Sequence, residues 1–422
     1  MNHRSISAYF SKLGYLKFDF AIFASEVGAF LSWIGVLTEV ANLSQSATLT
    51  ALLWVVTRGQ RVILGGVLGR FVDRSQNRLR LMTLSMFGYS LFMIIPASIQ
   101  AFQQPLPLVA VIAVLPVFRL TSVLARMAYL KNTLTAETLS KQVRLIENIP
   151  FIASGVSAML LILFRGKLSL SQILIADTLL HVLSIVILLI GNSPKEKHIP
   201  TKTPLLSFQT EWRDLRETFQ HRGIRDWSLL EYYFILAFGS FPVIVNIHTG
   251  GFGPDGRIAY SAYSVGLSLG SLVATILSQR SIYILKSGKI LPWLILVASL
   301  LQPFTIWFGD WASAYILLIY SFWGAAITSI FVMAVGEIRS EIVHLSTHEH
   351  IGRTMASVSR GEFLLASSLA FVLGPITHTV GPLISAFSLM TFLAPLYPLL
   401  GRLKLGEKSK SPSPAKIHAT LH

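Results

Sequence analysis

Long apolar runs joined by mostly short connections constrain this chain more than any other feature. Twelve such segments can be drawn, at about 18–40, 48–69, 81–100, 106–125, 145–164, 170–192, 227–247, 258–279, 290–308, 311–336, 354–375 and 380–401. A helix needs about 20 residues to cross a bilayer. Only 13% of the residues are charged, whereas about 25% is usual for a soluble domain. The pattern predicts an all-α polytopic membrane protein with twelve transmembrane helices, because a β-barrel would show short alternating segments instead.

A polar, charged stretch divides the segments into two groups of six. The predicted units are 1–192, an N-terminal six-helix bundle; 193–226, a central loop; 227–402, a C-terminal six-helix bundle; and 403–422, a disordered basic tail. The regions around Arg144 and Arg353 resemble each other faintly and lie half a chain apart. Two related six-helix bundles with pseudo-symmetry are typical of secondary transporters.

Positive charge is distributed unevenly between the two sides of the predicted membrane topology. If the N-terminus is cytoplasmic, the cytoplasmic pieces hold 28 of the 35 Lys and Arg residues, and the opposite side holds only Arg165, Lys167 and Arg257. This asymmetry follows the positive-inside rule and places both termini in the cytoplasm. The net charge of +15 is therefore spread along one membrane face, which excludes nucleic acid as a partner. The chain has no cysteine, so disulfides, thiolate catalysis and cysteine metal sites are excluded.

The stretch GGVLGRFVDRSQNRLRL, residues 65–81, ends the second apolar segment with three glycines and then becomes strongly basic. It resembles the loop motif of the major facilitator superfamily, which lies between the second and third spans. The resemblance is carried by Gly69, Asp73, Arg74 and Arg78. At residues 76–77, where the motif has a glycine and a basic residue, this chain has Gln and Asn.

The motif implies a conformational latch between two helices. Gly65, Gly66 and Gly69 recur at helical spacing, so a second helix can approach closely. In the family that partner is the eleventh span, and its N-terminus near Gly352 has free N–H groups and the positive end of a helix dipole that Asp73 can complement. Arg74 and Arg78 are expected to pair with acids or lipid phosphates. The alternative is that the glycines only pack helices and the arginines only set topology.

Two further regions, 131–158 and 352–376, look like the same regions of bacterial efflux-type members of the superfamily. The resemblance implies a monomeric transporter of the bacterial inner membrane that exports a small amphiphilic or drug-like molecule by proton antiport. The proton gradient supplies the energy, and no cofactor is expected. The alternative within the superfamily is a siderophore or metal-ion exporter, in which Asp19 and Glu26 could serve a cation.

Ionisable residues at bilayer depth are candidates for binding substrate or protons, because an unpartnered charge there is costly. The candidates are Glu26, Arg58, Arg61, Arg119, Asp177, His181, Arg360 and Glu362. Glu26 and Arg61 lie at similar depth on neighbouring spans and could form a pair. The alternative for such a pair is a structural salt bridge.

Different features of the sequence suggest the remaining candidates. Arg119 resembles the functional arginine in the fourth span of many antiporters, although Val123 stands where those have glycine. Asp177 and His181 are i,i+4 and share a helix face, where a carboxylate beside an imidazole could exchange a proton or simply satisfy a polar pair. Arg360 and Glu362 are two residues apart and point to different sides.

Other classes have less support from the sequence. The chain contains no HExxH, G-x-S-x-G or P-loop motif, so we predict neither an enzyme nor an ATP-driven pump. A non-transporting receptor is a remote alternative. The loop cluster of His344, His348, Glu349 and His350 lacks metal-site spacing, and no metal site is expected there.

Overall fold

The computed structural model describes residues 3–44, 47–164, 168–190, 208–238, 261–270, 272–273, 325, 335–346, 351–381 and 385–386. The helices are α1 His3–Ser44, α2 Ala47–Arg74, α3 Arg78–Ser98, α4 Pro105–Thr133, α5 Ala136–Leu163, α6 Leu170–Ile190, α7 Phe208–Gln220, α8 Arg222–Phe238 and α9 Ile351–Val380, with a short 3₁₀ helix at Gln100–Gln103. Residues 261–270 and 335–345 are also helical, and the described residues contain no strand. The predicted all-α class is confirmed.

Five helical stretches among the described residues are long and apolar enough to cross a membrane. They are Leu16–Val40, Arg78–Ser98, Pro105–Thr133, Leu145–Leu163 and Leu170–Ile190. These stretches correspond to the predicted first, third, fourth, fifth and sixth segments. The predicted eleventh segment lies within α9, whereas the ninth and most of the tenth and twelfth lie outside the described residues.

The first six helices pack around shared interfaces. α1 lies against α5 and α6, α3 lies against α4 and α6, and α2 lies along α4 and α9. The contact between α1 and α6 is close at Gly28, where an added Cβ would lie 2.5 Å from Oδ1 of Asp177 and 3.0 Å from its backbone oxygen. A glycine is needed there because a second helix occupies the space that a side chain would fill.

Several helices extend beyond their predicted ends. α4 continues to Thr133, so Arg126 and Lys131, assigned to a loop by hydropathy, are buried helical residues. Nζ of Lys131 donates to the backbone oxygen of Val343 at 3.0 Å. A hydropathy profile ends a segment at its first charges, whereas a helix continues wherever those charges find partners.

Helix α7 lies in the central stretch that was predicted as a loop. Its sequence, FQTEWRDLRETFQ, is mostly polar, so a search for apolar runs does not detect it. Arg213 and Glu217 are an exposed i,i+4 pair with 3.6 Å between Nε and Oε1, an arrangement that stabilises helices modestly.

The two halves of the chain meet at the end of the bundle where α2 ends and α9 begins. Asp73 of α2 contacts Arg353 of α9, and Lys131 of α4 contacts residue 343. We call this the latch end. At the latch end, described residues of the two halves are in direct contact.

Candidate functional site

Asp73 lies at the N-terminus of α9. Its Oδ2 accepts a hydrogen bond from the backbone N–H of Arg353 at 3.1 Å and lies 3.5 Å from Nε of the same residue. Both side chains are buried. The first N–H groups of a helix have no partner within the helix, and the positive end of its dipole attracts a carboxylate. Asp73 therefore links the first half of the chain to the second.

The glycines before Asp73 lie under a side chain of α9. A Cβ at Gly66 would lie 2.9 Å from Cζ of Arg360, and one at Gly65 would lie 3.2 Å from its Cγ. Nη2 of Arg360 donates to the backbone oxygen of Ile63 at 3.2 Å. Gly69 is buried on the same helix. Arg360, a candidate for substrate or proton binding, thus lies in the contact between α2 and α9.

The two arginines of the motif differ in their surroundings. Arg78 is fully buried, with Nη1 3.4 Å from the backbone oxygen of Ala128 and Nη2 4.0 Å from Oδ1 of Asp73. Arg74 is exposed. Arg78 therefore approaches Oδ1 of Asp73, whereas Arg353 approaches Oδ2. The exposed Arg74 lies on the surface of the protein.

Asn77, which departs from the family motif, caps α3. Its side-chain oxygen accepts a hydrogen bond from the backbone N–H of Arg80 at 2.9 Å, and Asn77 itself has extended backbone geometry. Asn is among the preferred N-cap residues. Asn77 therefore lacks the positive charge of the motif's basic residue but stabilises the N-terminus of α3 as its cap.

A cavity lies between α1, α3, α4 and α6, and three charged side chains meet at its wall. Oε2 of Glu26 lies 2.5 Å from Nη2 of Arg119, and its Oε1 lies 3.6 Å from Nη1 of Arg126. Cζ of Arg119 is 5.3 Å from the centre of the Phe30 ring. Glu26 and Arg126 are more than nine-tenths buried, whereas the Arg119 side chain is 30% exposed.

The rest of the cavity lining is mixed in character. In this conformation the cavity is small, with about 30 Å³ of space for water-sized molecules, and it is partly open to solvent. Its lining residues are Ile22, Ser25, Glu26, Ala29, Met82, Ser85, Met86, Tyr89, Phe118, Arg119, Ser122, Val123, Arg126 and His181. Hydroxyl groups and methionines therefore surround the charged wall, as is usual for small-molecule sites.

Asp177 and His181 are adjacent, on a shared helix face. Nδ1 of His181 lies 2.8 Å from Oδ1 of Asp177, and Oδ2 accepts a hydrogen bond from the Tyr89 hydroxyl at 3.2 Å. The rings of Tyr89 and His181 stack with centroids 4.3 Å apart. His181 and Glu26 both line the cavity. The imidazole therefore lies between a buried carboxylate and the charged cavity wall.

A second charged cluster joins four elements from both halves. Arg339 contacts Glu147 of α5 at 2.6 Å, Glu231 of α8 at 2.7 Å and Glu362 of α9 at 3.0 Å. We call these four residues the Arg339 junction. Sequence reasoning singled out only Glu362 here. The predicted tenth segment ends at about 336, before Arg339, and Glu147 and Glu231 lie near the starts of the predicted fifth and seventh segments.

Two predicted associations are not tested by the described residues. Arg58 and Arg61 are helical positions of α2, but their side chains lie outside the described residues, so their pairing stays a prediction. Glu26 contacts Arg119 and Arg126, and Asp19 accepts a hydrogen bond from Gln142. Asp19 and Glu26 therefore have separate side-chain partners, and cation binding by them stays a prediction.

Within the described part of the chain, no three His, Cys, Asp or Glu side chains are arranged to hold a metal ion. His344 is exposed, and the other three members of the loop cluster, at 348–350, lie outside the described residues.

The fold is shared with solved transporters. The chain is similar to the human organic anion transporter MFSD10 (TETRAN), with TM-score 0.63 and 13% identity, over 93% of this chain and 98% of that one. It is also similar to the nucleoside transporter NupG, with TM-score 0.61 and 15% identity, over 92% and 99% of the two chains. A bacterial homologue of the iron transporter ferroportin in the outward-facing state gives TM-score 0.64 and 12% identity, over 92% and 98%.

These similarities identify the fold. At such low identity they show the fold alone, an all-α architecture that the chain shares with these transporters. The amino-acid sequence matches no protein-family profile and no curated protein sequence.

Proposed function

We propose that this chain is a secondary active transporter that binds an amphiphilic organic anion in the cavity and exports it in exchange for protons. The observation that carries the proposal is the cavity wall, where two guanidinium groups flank a single carboxylate. The shared fold supports transport as the activity. Substrate class is argued from the cavity, because fold does not determine function.

The arginines favour an anionic group on the substrate. Nε of Arg126 is buried and has no hydrogen-bond partner among the described residues, although the side chain lines the cavity. Arg119 is partly exposed beside it. A carboxylate or sulfonate could accept hydrogen bonds from both guanidinium groups, which are planar donors suited to such oxygens. A buried donor without an acceptor is costly, so a bound anion would complete the site.

The apolar lining favours a hydrophobic body attached to that anion. Met82, Met86 and Phe118 line the cavity with the charged residues. Methionine side chains adapt to ligands of different shape. An aromatic or branched aliphatic group suits the chemistry of this lining.

The Asp177–His181 pair supports proton coupling. Histidine changes charge near neutral pH, and His181 lies on the cavity lining with Asp177 behind it. The distribution of Lys and Arg in the sequence supports a cytoplasmic latch end. We propose that the protein lies in a bacterial inner membrane as a monomer.

A charge-matched ligand series tests the substrate class. Dansylglycine, dansylamide and dansylcadaverine carry one fluorophore with an anionic, neutral or cationic group, and their fluorescence can be titrated with protein in nanodiscs. We expect dansylglycine to bind best. Arg126→Gln should weaken it by about tenfold to a hundredfold, the range for losing a hydrogen bond to a charged group, and leave dansylamide unchanged.

Arg74→Gln is the matched control, because it removes an exposed arginine at the latch end. Preferred binding of dansylcadaverine, or equal loss of all three ligands in Arg126→Gln, would contradict an anion site. A siderophore exporter is the alternative; a ferric chelate that displaces dansylglycine, where free iron does not, would identify it.

A further inference from the structure

The Arg339 junction contains more acidic than basic side chains. Three carboxylates contact one guanidinium, and the side chains of Glu147, Glu231 and Glu362 are each less than a tenth exposed. If all three were ionised, the four residues would bury two uncompensated negative charges. Burying an ion is favourable only when partners replace its hydration.

Two carboxylate oxygens in the junction have no hydrogen-bond partner among the described residues. They are Oε2 of Glu231 and Oε1 of Glu147, both buried. Oε1 of Glu231 and Oε2 of Glu147 are the atoms that contact Arg339. Each of the two residues therefore presents one bound and one unsatisfied oxygen, and Glu231 is the less exposed of the two.

The other charged groups on these elements have their own contacts or lie on other faces. Two of them form ion pairs: Arg353 pairs with Asp73, and Asp226 pairs with Arg222 and Arg225. Three other polar side chains donate hydrogen bonds to backbone oxygens: Arg360 to Ile63, Lys131 to Val343, and Tyr232 to Val358 at 2.9 Å. Glu337 and Glu341 lie two residues to either side of Arg339 and point away from its face. His344 is exposed near the end of the same helix. The side chain of Arg144, on α5, lies outside the described residues.

We propose that the Arg339 junction is a proton-binding site, occupied when the latch end is closed, with the proton on Glu231. The proposal rests on the proposed transport function, because it assigns a step of the same alternating cycle. The junction is separate from the cavity, since none of its four residues lines it.

The arrangement of the halves explains why proton binding would depend on conformation. Glu147 belongs to the first half of the chain, whereas Glu231, Arg339 and Glu362 belong to the second. Glu362 lies nine residues beyond Arg353 on α9, about 13 Å deeper at about 1.5 Å per residue. Opening the latch end would withdraw Glu147 and admit water, which stabilises the ionised carboxylates. Closing it would remove water and bring three carboxylates together, which favours uptake of a proton.

Distance measurements across the latch end test this coupling without a substrate. The chain has no cysteine, so Gln76→Cys and Gln220→Cys place spin labels at two exposed positions. Position 76 lies between α2 and α3 of the first half, and position 220 ends α7, which packs against α8 and α9 of the second half. Pulsed electron paramagnetic resonance between pH 5 and 9 then gives the ratio of closed to open protein. Acid should favour the closed form. With one linked proton, the ratio should fall by up to about tenfold per pH unit as the pH rises.

Glu231→Gln separates proton binding from a structural salt bridge. The variant should be closed across the pH range, with the pH dependence largely lost, and its thermal stability at pH 8 should be equal to or above that of the wild type. Glu217→Gln is the control, because Glu217 is exposed on α7, and it should keep the wild-type dependence. If Glu231→Gln does not fold, Glu147→Gln provides the same comparison.

A wild-type ratio that does not change with pH, or an unchanged pH dependence in Glu231→Gln, would overturn the proposal. Repeating the series with sodium and with choline distinguishes a proton from a metal cation, and a ratio that follows sodium rather than pH would also overturn it. Failure of the dansyl ligands to bind would contradict the proposed substrate and leave this result standing.

Discussion

The backbone nitrogen of Arg353 lies 3.1 Å from Oδ2 of Asp73, although 280 residues separate the two in sequence. The contact joins the end of α2 to the start of α9 and therefore crosses from one half of the chain to the other. Arg78 approaches the second oxygen of the same carboxylate. One buried side chain thus contacts the N-terminus of α9 and the first arginine of α3, and it links the two halves.

Asp73→Asn should weaken closure of the latch end. The amide keeps an oxygen acceptor but loses the negative charge that complements Arg353 and the helix dipole, at a cost of about 1–2 kcal/mol. The closed-to-open ratio, measured with the labels at positions 76 and 220, should fall about fivefold to thirtyfold. Arg74→Gln should leave it unchanged. Equal ratios for Asp73→Asn and wild type would reduce the motif to a topology signal.

Gly28→Ala should destabilise the first bundle more than Gly66→Ala. At Gly28 the added methyl meets the backbone of Asp177, with 3.0 Å to its oxygen and 3.2 Å to its Cα, whereas at Gly66 it meets only the movable end of Arg360. Overpacking costs about 1–3 kcal/mol when the neighbours cannot move. Thermal unfolding in detergent provides the comparison. A larger loss for Gly66→Ala would show that the α1–α6 contact is looser than described.

Glu26→Gln should lower stability strongly, because Arg119 and Arg126 would both lose their buried carboxylate. Removing one partner of a buried ion pair typically costs about 3–5 kcal/mol. The double variant Glu26→Gln/Arg126→Gln should recover part of the loss, since one uncompensated charge is removed with its partner. Denaturation of the three proteins under the same conditions measures this. Additive losses would mean that Arg126 and Glu26 do not interact.

Asn77→Ala should remove the cap of α3 and cost about 1 kcal/mol. Asn77→Asp should preserve the cap, because its carboxylate can accept the same hydrogen bond from Arg80. Thermal unfolding of both variants gives the difference. Asn77→Arg would restore the basic residue of the family motif yet behave like Asn77→Ala if capping is the role of this residue.

Local signals predicted the helical architecture and a close helix partner for α2, whereas the family resemblance named the eleventh span as that partner. Apolar length predicted the spans, and the spacing of Gly65 and Gly66 before Asp73 predicted a close helix partner. The Arg360 side chain over those glycines could not be predicted, since its position depends on how far α9 is shifted along α2.

The buried contacts of charged residues near helix ends could not be predicted, for a shared physical reason. Arg126 and Arg339 were assigned to loops because hydropathy ends a segment at its first charge, yet both are helical and contact buried carboxylates. Their partners, Glu26 and Glu231, lie far away in sequence, so pairing could not be inferred from spacing. The position of Tyr89 beside Asp177 and His181 could not be predicted, because aromatic residues are common throughout apolar helices.

Gradient-driven flux of dansylglycine tests the central claim most directly. Proteoliposomes with an acidic interior should accumulate the anion as protons leave, and nigericin should abolish the uptake by dissipating the pH gradient. Passive movement of the uncharged acid would give the opposite result, because weak acids collect in the more alkaline compartment.

Arg126→Gln proteoliposomes complete the measurement. Their uptake should fall at least about tenfold at low ligand concentration, in line with the weaker binding expected for this variant. Uptake that is equal in empty liposomes, insensitive to nigericin or unchanged in Arg126→Gln would contradict proton-coupled transport of an anion through this cavity.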